Sequence, residues 1–120
     1  MQKIVIVEDD KPIREMYEFK IKSAGYDVHT ASDGLEGLST VENVRPDLIL
    51  LDIKMPIMNG DEMLKKLRET KWGSSVKVII LTNLSKDEAP AILKLLHVDR
   101  YVVKAHFTPT EIIDIIKEVL

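Results

Sequence analysis

The sequence predicts an α/β fold, a doubly wound five-stranded parallel sheet of the (βα)5 type with helices on both faces. Five short apolar runs recur along the 120 residues, and the segments between them have the apolar spacing of amphipathic helices. The central runs consist almost entirely of Val, Ile and Leu, which is typical of strands that are covered on both sides. Strands and helices that alternate five times favour a parallel sheet with crossover helices.

The five predicted strands share a short length and an apolar interior. They are KIVIV, DVHTA, DLILL, VKVIIL and RYVVK, at residues 3–7, 27–31, 47–51, 76–81 and 100–104. Polar or turn-forming residues bound each run, as expected for buried strands. In such a sheet the carboxyl ends of the strands lie along one edge, and ligands of open α/β sheets bind there.

The first three helices carry start or stop signals. Asp10 and Pro12 mark the start of the first helix, and Gly25 ends it. The second helix stops before Pro46, because a residue that precedes proline disfavours the helical conformation. Asn59 is the predicted cap of the third helix, whose first turn is acidic and whose last turn is basic, as the helix dipole favours.

The fourth helix is less clearly specified than the fifth. Ser85 and Glu88 form a capping-box pattern, but Pro90 falls after the first turn and would remove a hydrogen bond. We therefore expect the fourth helix to start late or to bend. The fifth helix keeps its apolar residues on one face: Ile112, Ile113, Ile116, Val119 and Leu120.

Composition and charge argue against several classes of protein. The chain has no cysteine, so it has no disulfide framework and no thiolate zinc site, and a cytoplasmic location is expected. The formal net charge is −3, with 17 basic and 20 acidic residues, so no basic patch points to direct binding of nucleic acid or of a membrane. No apolar run approaches the roughly 20 residues that span a bilayer. We expect one domain over residues 1–120.

Acidic and polar side chains follow four of the five predicted strands: Glu8, Asp9 and Asp10, then Asp52, then Thr82 and Asn83, then Lys104. Because these strand ends share one edge of the sheet, we expect the side chains to converge. Crowded carboxylates repel one another, and a site rich in oxygen suits Mg²⁺. A lysine and a hydroxyl beside the metal would suit the oxygens of a phosphoryl group.

Asp52 is the best candidate for a nucleophile that forms an aspartyl-phosphate, because it stands alone at the end of the central strand. Taken singly, the other residues have ordinary explanations. Asp10 is expected to cap the first helix, and a threonine or lysine at the end of a strand is common. The specific signal is their joint placement after four strands.

Four motifs, IVIVEDD, PDLILLDIKMPIMNG, VKVIILT and YVVK, follow one another in this order. With them, essentially the whole chain resembles the receiver domains of bacterial two-component response regulators, the CheY-like receiver family. The resemblance implies the strand order 2-1-3-4-5 and a signalling switch rather than an enzyme. It also implies that Asp52 accepts a phosphoryl group from the phosphohistidine of a sensor histidine kinase or a phosphotransfer protein.

The resemblance implies a Mg²⁺ site beside the phosphoryl acceptor. Asp9 is the expected ligand, together with Asp52 and with help from Glu8. The backbone carbonyl of Lys54 completes the protein ligands. Lys104 is expected to pair with the phosphoryl group.

The resemblance also implies a switch. Thr82 is expected to hydrogen-bond the phosphoryl oxygens and to swing inward on activation. Tyr101 stands at the aromatic position that follows this threonine, although an ordinary strand aromatic is the other interpretation. A downstream protein is expected to bind the face formed by the fourth helix, the fifth strand and the fifth helix. A stand-alone regulator and a segment of a longer protein both stay open.

Three positions depart from the family's pattern. Ala105 follows Lys104 where the family has a proline with a cis peptide, and we predict a cis bond here despite a cost of about 3 kcal/mol. Asn83 replaces a small residue and would obstruct access to the site. His97 stands near the end of the fourth helix, where a glycine is usual, and is the predicted left-handed cap.

Three other functions fit these residues less well than the signalling switch. A phosphotransferase or phosphatase of the haloacid-dehalogenase type needs a second aspartate where this chain has Lys54. A flavodoxin-like cofactor binder needs a donor-rich loop after the first strand, and the segment EDDKP would instead repel a phosphate. A degenerate receiver would act as a protein-interaction module that is never phosphorylated.

Overall fold

The computed structural model describes residues 1–120 and contains five parallel strands, four α-helices and three short 3-10 helices. The strands are β1 (Lys3–Val7), β2 (Asp27–Ala31), β3 (Leu48–Leu51), β4 (Lys77–Thr82) and β5 (Arg100–Val103). The α-helices are α1 (Lys11–Ser23), α2 (Gly34–Val44), α3 (Gly60–Arg68) and α4 (Pro109–Val119). The sheet order β2-β1-β3-β4-β5, with all pairs parallel, confirms the predicted fold class.

Helices cover both faces of the sheet, which explains why the central strands are apolar throughout. Helices α1 and α4 contribute Ile21 and Ile116 to the core on one face, and α2 and α3 contribute Val41 and Leu64 to the core on the other. Every residue of β3 is at most 1% exposed, so the most deeply buried strand positions Asp52, which follows it directly. None of the α-helices combines the length and the apolarity needed to cross a bilayer.

The predicted fourth helix is not an α-helix. Two short 3-10 helices, Lys86–Glu88 and Ala91–Leu95, take its place, and Pro90 separates them. The start signal is present, since the N–H of Ser85 donates to the carboxylate of Glu88 at 3.0 Å. Pro90 has no N–H and its ring clashes with the preceding turn, so the helix cannot continue through it. The two 3-10 helices lie within residues 85–97, here termed the 85–97 segment. The segment ends at His97, whose φ of 54° confirms the predicted left-handed cap.

The predicted cap of α1 is confirmed, whereas the predicted cap of α3 makes a different contact. Asp10 caps α1 by accepting a hydrogen bond from the N–H of Ile13 at 3.1 Å, and Pro12 lies in the first turn. Asn59 directly precedes α3 but makes no capping hydrogen bond. Its side-chain oxygen accepts from the N–H of Met55 at 3.1 Å and so closes the loop that follows β3.

The Lys104–Ala105 peptide is trans, so the predicted cis bond is wrong. Alanine keeps the full preference for trans, about 3 kcal/mol, that proline loses. Strand β5 ends at Val103, and a single 3-10 turn, Lys104–His106, redirects the backbone instead. The lysine side chain still reaches the acidic edge of the sheet.

Candidate functional site

Three carboxylates lie together at the carboxyl edge of the sheet. Val7 of β1 pairs with Leu51 of β3, so the residues that follow them, Glu8 and Asp52, emerge from neighbouring strands. One carboxylate oxygen from each of Glu8, Asp9 and Asp52 lies within 4.8 Å of the others. Glu8 and Asp52 are buried and Asp9 is exposed, so the cluster opens to solvent on the side of Asp9.

Lys104 supplies the positive charge that the buried carboxylates require. Its ammonium donates hydrogen bonds to Oε1 of Glu8 and, at 3.1 Å, to Oδ2 of Asp52. The Lys104 side chain is only 10% exposed. Buried charges are tolerated only when they are paired and hydrogen-bonded, so this lysine makes the acidic cluster compatible with folding.

Burial and the neighbouring charges shift the pKa values of Glu8 and Lys104 in this cluster. Burial raises the pKa of Glu8 to about 7, and the charge of Asp52 adds to the rise although the hydrogen bond from Lys104 opposes it. Burial lowers the pKa of Lys104, but the hydrogen bond to Glu8 and the charge of Asp52 outweigh it, so the net direction is upward. At neutral pH the lysine is therefore charged, and Glu8 holds a proton for part of the time.

Glu8 should make stability depend on pH. Because its pKa is about 7 in the folded protein against a usual value of 4.5, folding takes up a proton between these values. Its contribution is thus fully present at low pH and is lost as the pH rises towards 7. We expect the free energy of unfolding to fall by up to about 3 kcal/mol over this interval, measured by urea denaturation without Mg²⁺.

Glu8→Gln should flatten this part of the pH profile, because glutamine does not titrate. The matched control is Glu42→Gln, an exposed residue of α2 whose side chain makes no hydrogen bond or ion pair within the chain. It should leave the profile unchanged. A Glu8→Gln profile as steep as that of the unmodified chain would contradict the assignment.

Thr82 and Tyr101 contact the same short stretch of backbone. The Oγ1 of Thr82, at the buried end of β4, accepts from the N–H of Leu84 at 3.4 Å. The hydroxyl of Tyr101 donates to the carbonyl oxygens of Leu84 at 2.8 Å and of Ser85 at 3.3 Å. Both side chains therefore contact the backbone that leads into the 85–97 segment. Asn83, the residue after Thr82, is exposed.

The loop after Asp52 is held by hydrogen bonds within the chain. Oδ1 of Asp52 accepts from the N–H of Ile53 at 2.7 Å, and the N–H of Gly60 donates to the carbonyl of Ile53 at 2.7 Å. A Cβ on residue 60 would lie 2.0 Å from the carbonyl oxygen of Asp52, so only glycine fits. The carbonyl of Lys54 accepts no hydrogen bond from the chain, which leaves its lone pairs free for a ligand.

The donor set fits Mg²⁺. Carboxylate and carbonyl oxygens are the hard ligands that this ion takes, and it is usually bound through one or two carboxylates with retained waters. Glu8, Asp9 and Asp52 offer the carboxylates. The spacing of the three carboxylate oxygens suits one shared cation.

Arg14 is a supporting residue that sequence reasoning missed. Its guanidinium donates to the carbonyl oxygens of Glu8 at 2.9 Å and of Asp9 at 3.3 Å. It thereby fixes the backbone that carries two of the carboxylates. The only available signal was its place one turn into α1, from which a long side chain can reach back to the preceding loop.

Comparisons with known proteins agree on one family. The family model described as response regulator receiver domain matches residues 4–117. The alkaline phosphatase synthesis transcriptional regulatory protein PhoP of Bacillus subtilis is 36% identical over 120 residues, which cover 99% of this chain and 48% of PhoP. The chain thus spans about half the length of this curated relative.

Solved structures show the same similarity in three dimensions. The chemotaxis protein CheY4 of Vibrio cholerae superposes with a TM-score of 0.92 at 32% identity, covering 100% of this chain and 99% of CheY4. The response regulator TrrA of Thermotoga maritima, solved in complex with Mg²⁺-BeF, gives a TM-score of 0.87 at 32% identity, with 100% of both chains covered. Both comparisons cover the whole of this chain.

Proposed function

The chain belongs to the response regulator receiver family, and from this premise we propose that it is a phosphorylation-dependent switch of a two-component system. Asp52 accepts a phosphoryl group from the phosphohistidine of a sensor histidine kinase or a phosphotransfer protein. The observation that carries the proposal is the buried carboxylate of Asp52, which lies beside the ammonium of Lys104 and within a cluster of two further carboxylates.

The transfer requires one bond to form and one to break. A carboxylate oxygen of Asp52 attacks phosphorus, the P–N bond of the phosphohistidine breaks, and the departing imidazole nitrogen takes up a proton. Oδ1 of Asp52 is held by the N–H of Ile53, which orients the carboxylate. Lys104, already in contact with Oδ2, then pairs with a phosphoryl oxygen.

We propose that Glu8, Asp9, Asp52 and the carbonyl of Lys54 hold Mg²⁺. When bound, the ion supplies positive charge that offsets the negative charge of the phosphoryl group beside the carboxylates. The cluster geometry supports this proposal, as does the complex of the relative TrrA with Mg²⁺-BeF.

Asp9→Ala should abolish phosphorylation while the fold stays intact, because Asp9 is the exposed carboxylate of the cluster and supports no other residue through its side chain. Mg²⁺ binding should weaken together with labelling, and it should also weaken at low pH, where protonated carboxylates cannot bind metal. Intact mass after incubation with acetyl phosphate and Mg²⁺ measures the first effect. Undiminished labelling of the variant, or full labelling in excess chelator, would contradict the metal site.

The expected output face would be formed by the 85–97 segment in place of the fourth helix, together with β5 and with α4, the predicted fifth helix. A groove of about 680 Å³ is lined by residues of the 85–97 segment and of the chain that follows it, as far as Tyr101 in β5. Its lining combines apolar residues such as Leu93 with three basic residues, Lys86, Lys94 and Arg100. We propose that the downstream protein binds here. Movement of Thr82 and Tyr101 would reach this groove through their shared contacts with residues 84 and 85.

Incubation of the unmodified chain with acetyl phosphate tests the proposed function directly. With Mg²⁺ the intact mass should show one added phosphoryl group, and without Mg²⁺ it should show none. The alternative, a receiver that serves only as an unphosphorylated interaction module, predicts no labelling in either condition.

A further inference from the structure

Arg68, the last residue of α3, joins two chain connections at the edge of the sheet opposite the acidic site. Its guanidinium donates four hydrogen bonds to carbonyl oxygens: Leu96 at 2.7 Å, His97 at 2.6 Å, Gly73 at 3.0 Å and Val76 at 2.7 Å. The first two acceptors lie just before β5 and the other two just before β4. Neither the phosphoryl chemistry nor the metal site uses this residue.

The 85–97 segment is consequently held at its two ends by two different side chains. The hydroxyl of Tyr101 holds the amino end through the carbonyls of Leu84 and Ser85. Arg68 holds the carboxyl end through the carbonyls of Leu96 and His97. The first anchor belongs to the proposed switch, and the second belongs to a helix that the switch does not include.

Little holds the segment between these anchors. Leu93 is its only buried residue, and Leu95 is 84% exposed. Its internal backbone hydrogen bonds are of the 3-10 type, such as that from the N–H of Leu96 to the carbonyl of Leu93 at 3.3 Å. Such bonds have poorer geometry than those of an α-helix, and 3-10 runs of this length are uncommon.

The sequence of the segment also favours a second conformation. Proline is well tolerated at the first position of an α-helix, and the residues after Pro90, AILKLLH, are mostly good helix formers. An α-helix that begins at Pro90 would turn the exposed Leu95 relative to the groove, because successive residues rotate by a smaller angle than in a 3-10 helix. The segment is thus a candidate for a two-state element.

We propose that Arg68 is a positioning residue that fixes the carboxyl end of the 85–97 segment as a pivot. Displacement of the Tyr101 anchor on phosphorylation then rearranges residues 84–93, while residues 96 and 97 stay in place. The end of the groove that His97 and Asp99 line keeps its shape, whereas the end that Lys86 lines changes shape. The proposal rests on the proposed function for its trigger, but the Arg68 anchor can be tested without any phosphoryl group.

Hydrogen exchange measured by mass spectrometry on the full chain tests the pivot, with and without Mg²⁺ and beryllofluoride. In the unmodified chain, beryllofluoride should change exchange in residues 84–93 and leave residues 96–99 unchanged. In Arg68→Lys without beryllofluoride, amides of residues 93–97 should exchange at least about tenfold faster, the factor expected for loss of one charge-assisted hydrogen bond. The strands β1 and β3 should keep their protection.

The lysine variant separates anchoring from charge, because one ammonium keeps the charge but cannot reach four carbonyl groups. In Arg68→Lys, the change in hydrogen exchange that beryllofluoride causes should extend to residues 96–99. The matched control is Lys65→Gln, because Lys65 is exposed on the same helix and its side chain makes no hydrogen bond or ion pair in the structure; this variant should behave as the unmodified chain does.

The anchor, the pivot and the proposed function would each be overturned by a different result. Unchanged exchange of residues 93–97 in a folded Arg68→Lys variant would overturn the anchor. An equal response of residues 84–93 and 96–99 to beryllofluoride in the unmodified chain would overturn the pivot, and this comparison decides the matter if Arg68→Lys does not fold. Absence of any response to beryllofluoride in the unmodified chain would overturn the proposed function, whatever the variant shows.

Discussion

Asp52→Asn is expected to abolish labelling by acetyl phosphate, with at least a hundredfold loss, and to leave the fold intact. An amide oxygen is a far weaker nucleophile than a carboxylate, so the acyl-phosphate bond should not form. The variant keeps a side-chain oxygen that can accept the hydrogen bond that Oδ1 of Asp52 receives from the N–H of Ile53 at 2.7 Å. Intact mass measures the label, and circular dichroism confirms the fold.

Asp114→Asn provides the matched control. This aspartate is exposed on α4 and undergoes the same chemical change away from the sheet edge. It should be labelled like the unmodified chain. Labelling of Asp52→Asn to the same extent would show that another residue is the acceptor, and fragmentation of the labelled protein would then identify it.

Lys104→Met should lower the free energy of unfolding by about 3–5 kcal/mol at pH 8, the usual cost of removing one partner from a buried ion pair. The substitution leaves the buried carboxylates of Glu8 and Asp52 without the ammonium that now contacts both. At pH 5.5 the loss should be smaller, because Glu8, whose pKa is already about 7, holds a proton there. Urea denaturation at both pH values measures the difference.

Lys117→Met is the control for this substitution, since Lys117 is exposed on α4 and has no carboxylate partner. It should change stability by less than about 0.5 kcal/mol, as exposed substitutions usually do. A Lys104→Met variant that loses the same stability at both pH values would show that the lysine acts through packing rather than through charge.

The convergence of charged side chains at the carboxyl edge of the sheet could be predicted from sequence because it depends only on topology. Parallel strands end on a common edge, and the residues after each strand can be read directly, so Glu8, Asp52 and Lys104 were expected to meet. That Lys104 bridges both buried carboxylates was not predictable. This contact depends on which rotamers the neighbouring packing allows, and no local pattern encodes it.

The elements that differed from expectation are those where two local signals compete. Ser85 and Glu88 favour a helix start, whereas Pro90 forbids its continuation, and the outcome was a pair of 3-10 turns. At Lys104–Ala105, the similarity to a family pattern competed with the preference of alanine for a trans peptide, and the preference prevailed. The roles assigned to the site residues stay predictions until the labelling experiments are done.

Arg68 illustrates a third limit of sequence reasoning. Its acceptors lie between 5 and 29 residues away along the chain, in connections that have no motif of their own. An arginine in the last turn of a helix is expected from the helix dipole alone. Only the three-dimensional arrangement distinguishes this arginine from Lys65 and Lys66 of the same turn.

The loop between Asp52 and Gly60 has a consequence for the kinetics of binding. Hydrogen bonds across it, from Gly60 to Ile53 and from Met55 to Asn59, hold it in one conformation before any ligand arrives. A mobile loop would lose about 1–2 kcal/mol of conformational entropy per residue on closing round a ligand, and here that loss occurs during folding. Mg²⁺ dehydrates reluctantly. We therefore expect the rate of metal association to be limited by exchange of water on the ion rather than by closure of the protein.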